Sequence, residues 1–272
     1  DAPHLTGDVL DRMPNLRLVL HAAGSVRHVV SDEAWNRGIR VVSAAAANAV
    51  PVADFTVSQI IFSLKDGWRT SLAANRHLQQ AETTNVRGVM GATIGIASLG
   101  LIGRKVASRL RDLDVNVIAY DPYADPASAE QLGVRLVGLD ELFSTSHVVT
   151  LHTPLLDSTR QLFGKALLQQ MRPYATLINT ARGALIPTDE LVGVLWERPD
   201  LLAVLDVTDP EPLPNGHPLF SMPNVVLTPH IAGSLGSELA LMGKLVTSEL
   251  ERYLSEQALH HELTPNSASL TA

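Results

Sequence analysis

Short, unbroken apolar runs alternate with longer amphipathic stretches along this chain, and that alternation limits the available folds more than any other feature. The runs Leu16–Leu20, Ile39–Val42, Thr93–Ala97, Asn116–Ala119, Val148–Leu151, Ala175–Asn179, Ala203–Leu205 and Val225–Leu227 read as strands covered on both faces. Between them, the stretch from Gly103 to Leu113 sets Val106, Ala107, Leu110 and Leu113 on one helical face. Thr188 reads as the cap of a helix from Asp189 to Glu197, with acidic residues in its first turn. Strands and helices in this order build a mainly parallel, doubly wound sheet, so the expected class is α/β.

At 272 residues the chain is long for one core, which predicts two lobes. The apolar stretch from Val52 to Leu64 reads as one helix, and the polar segment Lys65 to Val89 holds the first boundary. The expected division is a substrate lobe over residues 1–64, joined by a C-terminal helix over 235–255. A dinucleotide lobe follows over 65–234, and a loose tail over 256–272.

Composition removes several function classes. A net charge of −7 offers no electrostatic footprint for nucleic acid or anionic lipid. The absence of cysteine excludes disulfides, a thiol nucleophile and Cys-ligated metal, and fits a reducing cytoplasm. No metal site is expected: His260-His261 lack carboxylates at ligand spacing and read as exposed. No apolar run is read as long enough to cross a bilayer, and Asp1-Ala2-Pro3-His4 do not read as a signal peptide. The missing initiator Met reads as a trimmed start.

The first chemical signal lies between a strand and a helix. Ser98-Leu99-Gly100-Leu101-Ile102-Gly103 is a turn of the type that aims backbone N–H groups and the positive end of a helix at a pyrophosphate. Ser98 stands where a complete GxGxxG has its first glycine, and the turn alone also fits an ordinary strand–helix junction. The next strand ends in Asp121, eighteen residues after Gly103. A carboxylate there can accept hydrogen bonds from adenosine ribose hydroxyls and would repel the extra phosphate of NADP. Turn and acid together point to NAD.

Three further segments each follow a strand: Asn179-Thr180-Ala181-Arg182-Gly183, Asp206 through Pro212, and Thr228-Pro229-His230-Ile231-Ala232-Gly233. Arg182 is suited to fork onto a carboxylate, although a surface ion pair is the usual fate of an arginine. One histidine among ten is more often structural than catalytic, but Arg, acid and His at successive strand ends form a pattern.

With Leu151-His152-Thr153-Pro154-Leu155, Met171 through Gly183, Leu205 through Pro212 and Asn224 through Gly233, the chain resembles the D-isomer-specific 2-hydroxyacid dehydrogenases. Arg37-Gly38-Ile39 and Asn48 through Asp54 resemble family segments as well. The resemblance implies a Rossmann-like NAD lobe and a smaller flavodoxin-like substrate lobe, incomplete because family members carry more strands before the point matching His4. It implies Arg182, Glu211 and His230 as a catalytic trio acting on a small 2-oxo or 2-hydroxy acid. It implies cofactor contacts at Gly100, Leu101, Ile102, Gly103, Asp121, Thr153, Pro154, Thr180, Ala181 and Gly233, with Asp206 on the nicotinamide carboxamide. Gly24 and Ser25, with Arg182, are implied to hold the substrate carboxylate. Val26-Arg27 replace the family's Asp-Asn pair, and Arg27 reads as a surface residue. A cytoplasmic homodimer, with the segment Lys65 to Val89 as its arm, is a further implication. The rival reading is an NAD-sensing corepressor-like protein on the same fold.

Overall fold

A computed structural model describes residues 2–77 and 86–270. The described residues contain β1 (Leu18–His21), β2 (Arg40–Ser43), β3 (Ala92–Ala97), β4 (Val115–Tyr120) and β5 (Val134–Leu136). They also contain β6 (Val148–Leu151), β7 (Thr176–Asn179), β8 (Leu202–Leu205), β9 (Val225–Leu227) and β10 (Glu262–Leu263). The chain divides into two compact units, Asp1–Pro51 with Gly233–Ala272, and Val52–Ala232. The first division falls inside a helix, thirteen residues before the expected boundary at 64/65, because Ala53, Ile60 and Leu64 pack into the core of the second unit.

The second unit holds a seven-stranded, all-parallel sheet in the order β5-β4-β3-β6-β7-β8-β9. The chain runs outward from β3 to β5 and then returns to lay β6 on the other side of β3. The crevice between β3 and β6 is therefore a topological switch point, the place where open α/β sheets receive ligands. Side chains alternate between two cores. Leu177, Ala203 and Leu205 join Phe143 and Phe163 on one face, whereas Ile178, Leu202 and Val204 join Ile94, Ile96, Val106 and Leu110 on the other. This explains the unbroken apolar runs, since a strand buried on both faces has no polar side to show.

Register decides where the site lies. Ala97 pairs with Tyr120 and Leu151, Leu151 with Asn179, Asn179 with Leu205, and Leu205 with Leu227. The carboxyl ends of six neighbouring strands are therefore level. The next residues, Ser98, Asp121, His152, Thr180, Asp206 and Thr228, are all polar and form a row along one edge of the sheet.

Several local expectations are corrected. The helix expected from Val52 runs over Ala45–Leu64, with Pro51 inside it; proline forfeits one backbone bond there without ending the helix. By length and composition this helix is long and apolar enough to cross a membrane, contrary to the expectation that no run is. The buried Ala53, Ile60 and Leu64 on it are what the core helix of a folded domain shows. Thr188 is not a cap. Pro187 holds that position in the helix Thr188–Glu197, and the Thr188 hydroxyl donates to the Asp209 carbonyl at 2.6 Å. The segment after Leu64 contains a helix, Gly67–His77; its residues 78–85 lie outside the described residues.

The first unit carries a three-stranded sheet, β1-β2-β10, with β1 parallel and β10 antiparallel to β2. Leu5, Leu10, Val26, Val30, Ala34, Ile39, Val41 and Ala268 form its core. Residues 256–270 are not a loose tail. Arg40 grips Glu262 with two hydrogen bonds, at 2.8 and 2.6 Å. The buried Glu249, on the helix Leu239–Leu254, accepts the backbone N–H groups of His260 and His261.

Candidate active site

The turn after β3 starts the helix Leu101–Leu110, whose buried face is Gly103, Val106, Ala107 and Leu110. Gly103 must be glycine because a Cβ there would run into the Ser98 carbonyl. The turn therefore folds flat against the helix start. Gly100 and Leu101 are exposed at that start, where the first N–H groups of a helix have no partners inside it. That is the form a pyrophosphate cradle takes. Ser98 adopts φ +80°, which costs an L residue about 1–2 kcal/mol. Asp121 reaches back to this turn: Oδ2 accepts the Leu99 N–H at 2.8 Å and the Ser98 hydroxyl at 3.3 Å, while Oδ1 accepts the Tyr123 N–H at 2.9 Å.

Further along the row, Thr153 is buried, its hydroxyl on the Ala97 carbonyl at 3.3 Å, and Pro154 is half-buried. Thr180 is buried too, 3.2 Å from the hydroxyl of Thr56. His152 is fully enclosed. Its Nε2 lies 3.1 Å from the Thr150 hydroxyl, and its Nδ1 has no hydrogen-bond partner among the described residues. Burial pushes this imidazole down to about 3, so it is neutral at any physiological pH.

Three loops then interlock at the ends of β7, β8 and β9. Asn179 shapes the first, accepting the Ala181 N–H at 3.0 Å and donating to the Arg182 carbonyl at 2.9 Å. Gly183 presses directly on the backbone of Thr208 and Asp209, with no room for a Cβ. The loop bearing Arg182 thus lies against the loop that leads to Glu211. The third loop is pinned by Asp206, which is 2% exposed. Its Oδ1 accepts the Thr228 hydroxyl at 2.5 Å and the Ile231 N–H at 2.9 Å, and its Oδ2 accepts the Ala232 N–H at 2.9 Å. The Asp206 carbonyl also takes the His230 N–H at 2.9 Å. His230 is held at φ +55° between these anchors, and its Nδ1 lies 2.6 Å from Glu211 Oε1. Both side chains face solvent, which leaves Nε2 of the ring open to a reactant.

The structure thus brings Glu211 and His230 into contact and sets Arg182 on the adjoining loop. Gly24, Ser25 and Gly233 belong to the first unit. There the Gly24 carbonyl accepts the Ser43 hydroxyl. His21, at the end of β1, is lowered by burial and partly restored by a hydrogen bond to the Ser25 backbone. A Cβ on Gly233 would sit 3.2 Å from Asn48 Oδ1. Val26 is buried and Arg27 exposed. Asn179, Thr228 and Thr56 are not among the expected site residues, and the only sequence signal for the first two is their place at strand ends.

The family model for the D-isomer specific 2-hydroxyacid dehydrogenase NAD binding domain matches residues 62–232, most of the chain. The chain belongs to the D-isomer specific 2-hydroxyacid dehydrogenase family. A glyoxylate reductase of Thermofilum pendens is 33% identical over 263 residues, covering 90% of this chain and 74% of that one. A D-3-phosphoglycerate dehydrogenase of Archaeoglobus fulgidus is 31% identical over 254 residues, 89% of this chain but 46% of its own length. The chain spans about half the length of the phosphoglycerate dehydrogenases it matches. Among solved structures, a glyoxylate reductase from Paecilomyes thermophila superposes with a TM-score of 0.77 at 30% identity, covering 92% of this chain and 76% of that one. The NAD-complexed D-isomer specific 2-hydroxyacid dehydrogenase of Lactobacillus delbrueckii ssp. bulgaricus shares the fold, with a TM-score of 0.84 at 23% identity over 97% of this chain and 84% of that one. The 2-hydroxyacid dehydrogenase sheet of this chain is accordingly an NAD-binding domain, and the flat turn at Gly103 and the exposed helix start fit that cofactor.

Proposed function

We propose that this chain is an NAD-dependent D-2-hydroxyacid dehydrogenase that interconverts a small 2-oxo acid and its 2-hydroxy acid, with Arg182, Glu211 and His230 as the acting side chains. The observation that carries this reading is the 2.6 Å contact of His230 Nδ1 with Glu211 Oε1 beside the Arg182 loop. Bound NADH supplies a hydride to the substrate's carbonyl carbon. The residues of this chain manage the rest. Glu211 holds the ring so that Nδ1 faces the carboxylate and Nε2 faces outward, where it delivers a proton to the substrate oxygen. In the reverse direction the same nitrogen takes that proton back. Arg182 pairs with the substrate carboxylate or carbonyl oxygen and stabilises the negative charge that develops there.

The remaining cofactor roles belong to the same proposal. The turn at Gly100, Leu101, Ile102 and Gly103 holds the pyrophosphate and Asp121 the ribose, while Thr153, Pro154, Thr180, Ala181 and Gly233 border the nicotinamide half. Asp206 already accepts three donors, and a carboxylate has about four acceptor positions. One position is left for a carboxamide N–H. Gly24 and Ser25 would offer backbone N–H groups to the substrate carboxylate. A cytoplasmic homodimer joined through residues 65–89 completes the proposal, resting on family resemblance and the cysteine-free composition.

The test is oxidation of NADH by the purified chain with hydroxypyruvate, glyoxylate, pyruvate and longer 2-oxo acids. Turnover with one of them is expected. His230→Ala should lower kcat by about a thousand-fold while leaving the Kd for NADH unchanged. Near-normal turnover in that variant removes His230 from the mechanism, and NADH binding without turnover on any 2-oxo acid moves the reading to a sensor.

A further inference from the structure

Ser98 is the one residue of the pyrophosphate turn that the dinucleotide reading leaves unexplained. Its φ of +80° is a conformation that glycine enters freely and an L side chain enters only against resistance. An L residue kept in such a conformation beside a binding site points to work done by its side chain. The Ser98 hydroxyl lies 3.3 Å from Asp121 Oδ2, and toward an ionised carboxylate a hydroxyl can only donate. The same oxygen takes the Leu99 N–H at 2.8 Å, and Oδ1 takes the Tyr123 N–H at 2.9 Å. Two backbone donors and one side chain therefore grip Asp121. Of its roughly four acceptor positions, the open one lies on Oδ1.

We propose that Ser98 is a specificity-determining residue for the dinucleotide. By tethering Oδ2 it fixes the Asp121 carboxylate, so that the open position on Oδ1 meets a ribose hydroxyl and the negative charge stays where a 2′-phosphate would have to lie. The proposal rests on NAD binding by the second unit. The tether matters because a carboxylate side chain has its own rotational freedom. An Asp121 held only by backbone N–H groups on its two oxygens can tilt away from an added phosphate, whereas the third bond must break before it does so. Ser98 Oγ also lies 4.0 Å from the position a Cβ on the exposed Gly100 would take, so the hydroxyl sits in the turn itself and not within the sheet. Alanine would keep the strained backbone without the tether, and glycine would remove both.

Those two substitutions separate the hydroxyl from the backbone. The experiment is equilibrium titration of the purified chain, as wild type, Ser98→Gly and Ser98→Ala, with NADH and with NADPH, followed by cofactor fluorescence. Thermal melting without nucleotide accompanies it. The wild type is expected to prefer NADH. In both variants the ratio of NADPH to NADH dissociation constants should fall by about five-fold, the size of one ordinary net hydrogen bond. Melting should rise by about 3 °C in Ser98→Gly and not rise in Ser98→Ala, since only glycine relieves the backbone. A ratio that stays within about two-fold of wild type in both variants, with NADH still bound, overturns the proposal and leaves NAD binding standing. A change in Ser98→Gly alone also overturns it, because the backbone and not the hydroxyl would then be responsible. Failure of the wild type to bind either nucleotide removes the proposal and the NAD reading together.

Discussion

Asp121 and Asp206 occupy equivalent places in the sheet, each the first residue after a parallel strand, and each accepts three hydrogen bonds from its own chain. Their surroundings differ. Asp121 is half-buried and its donors come from the two short segments beside it, whereas Asp206 is 2% exposed and draws all three of its side-chain partners from residues 228–232. The comparison shows one device, an aspartate stapling a loop at a strand end, put to two uses. At β4 the staple fixes a half-buried carboxylate, the one proposed to meet the ribose. At β8 the buried carboxylate spends three of its acceptor positions on the next loop, and that loop presents His230.

The difference can be broken most sharply at Asp206. Asp206→Ala leaves two backbone N–H groups and a hydroxyl without their buried acceptor, and should destabilise the fold by about 3 kcal/mol in urea unfolding. It should also lower kcat by about a hundred-fold as the His230 loop loosens. An intact kcat would show that the loop holds its shape without the staple. Gly183→Ala comes next. Its Cβ would force apart the backbones of residues 183 and 208, for a loss of about 2 kcal/mol by the same measurement.

His152, between the two aspartates in strand order, tests whether burial alone sets behaviour at these positions. Its folded pKa of about 3 lies below the ordinary imidazole value of 6.5. The unfolded chain therefore binds a proton in that window and the folded chain does not, so this group's contribution is full above pH 6.5 and is lost as pH falls. At pH 5 the loss amounts to about 2 kcal/mol. Unfolding free energies at pH 7.5 and pH 5 should show this drop in the wild type and a smaller one in His152→Gln; equal drops would mean the histidine is not the acid-sensitive group. Asp121→Asn should have the smallest effect on stability, under about 1 kcal/mol, because water can replace a half-exposed acceptor. Its effect belongs to nucleotide choice, read as a tighter Kd for NADPH.

Much of this was legible in the sequence because it is local. The apolar runs of β6 and β9 coincide with the strands expected from them, and the turn at Ser98–Gly103 declares itself by glycine spacing. Features made by distant partners were not legible. β5 is only Val134-Arg135-Leu136, with a charge in its middle, and β10 is two residues whose pairing is secured by Arg40 and Glu262 far apart in the chain. The helix expected to start at Val52 begins at Ala45 in the structure and takes Pro51 into its interior. Within the site, the sequence displays Glu211 and His230 as separate motifs. Asp206 as the anchor of the histidine loop could not be read, because its partners lie more than twenty residues away.

Gly183 carries a last consequence. With peptide planes of two loops touching and no side chain between them, the spacing between the segment bearing the guanidinium and the segment bearing the acid is set by main-chain thickness. Packing substitutions cannot adjust it. Under the proposed function, a change of substrate size has to be accommodated elsewhere, because this junction behaves as a fixed jaw.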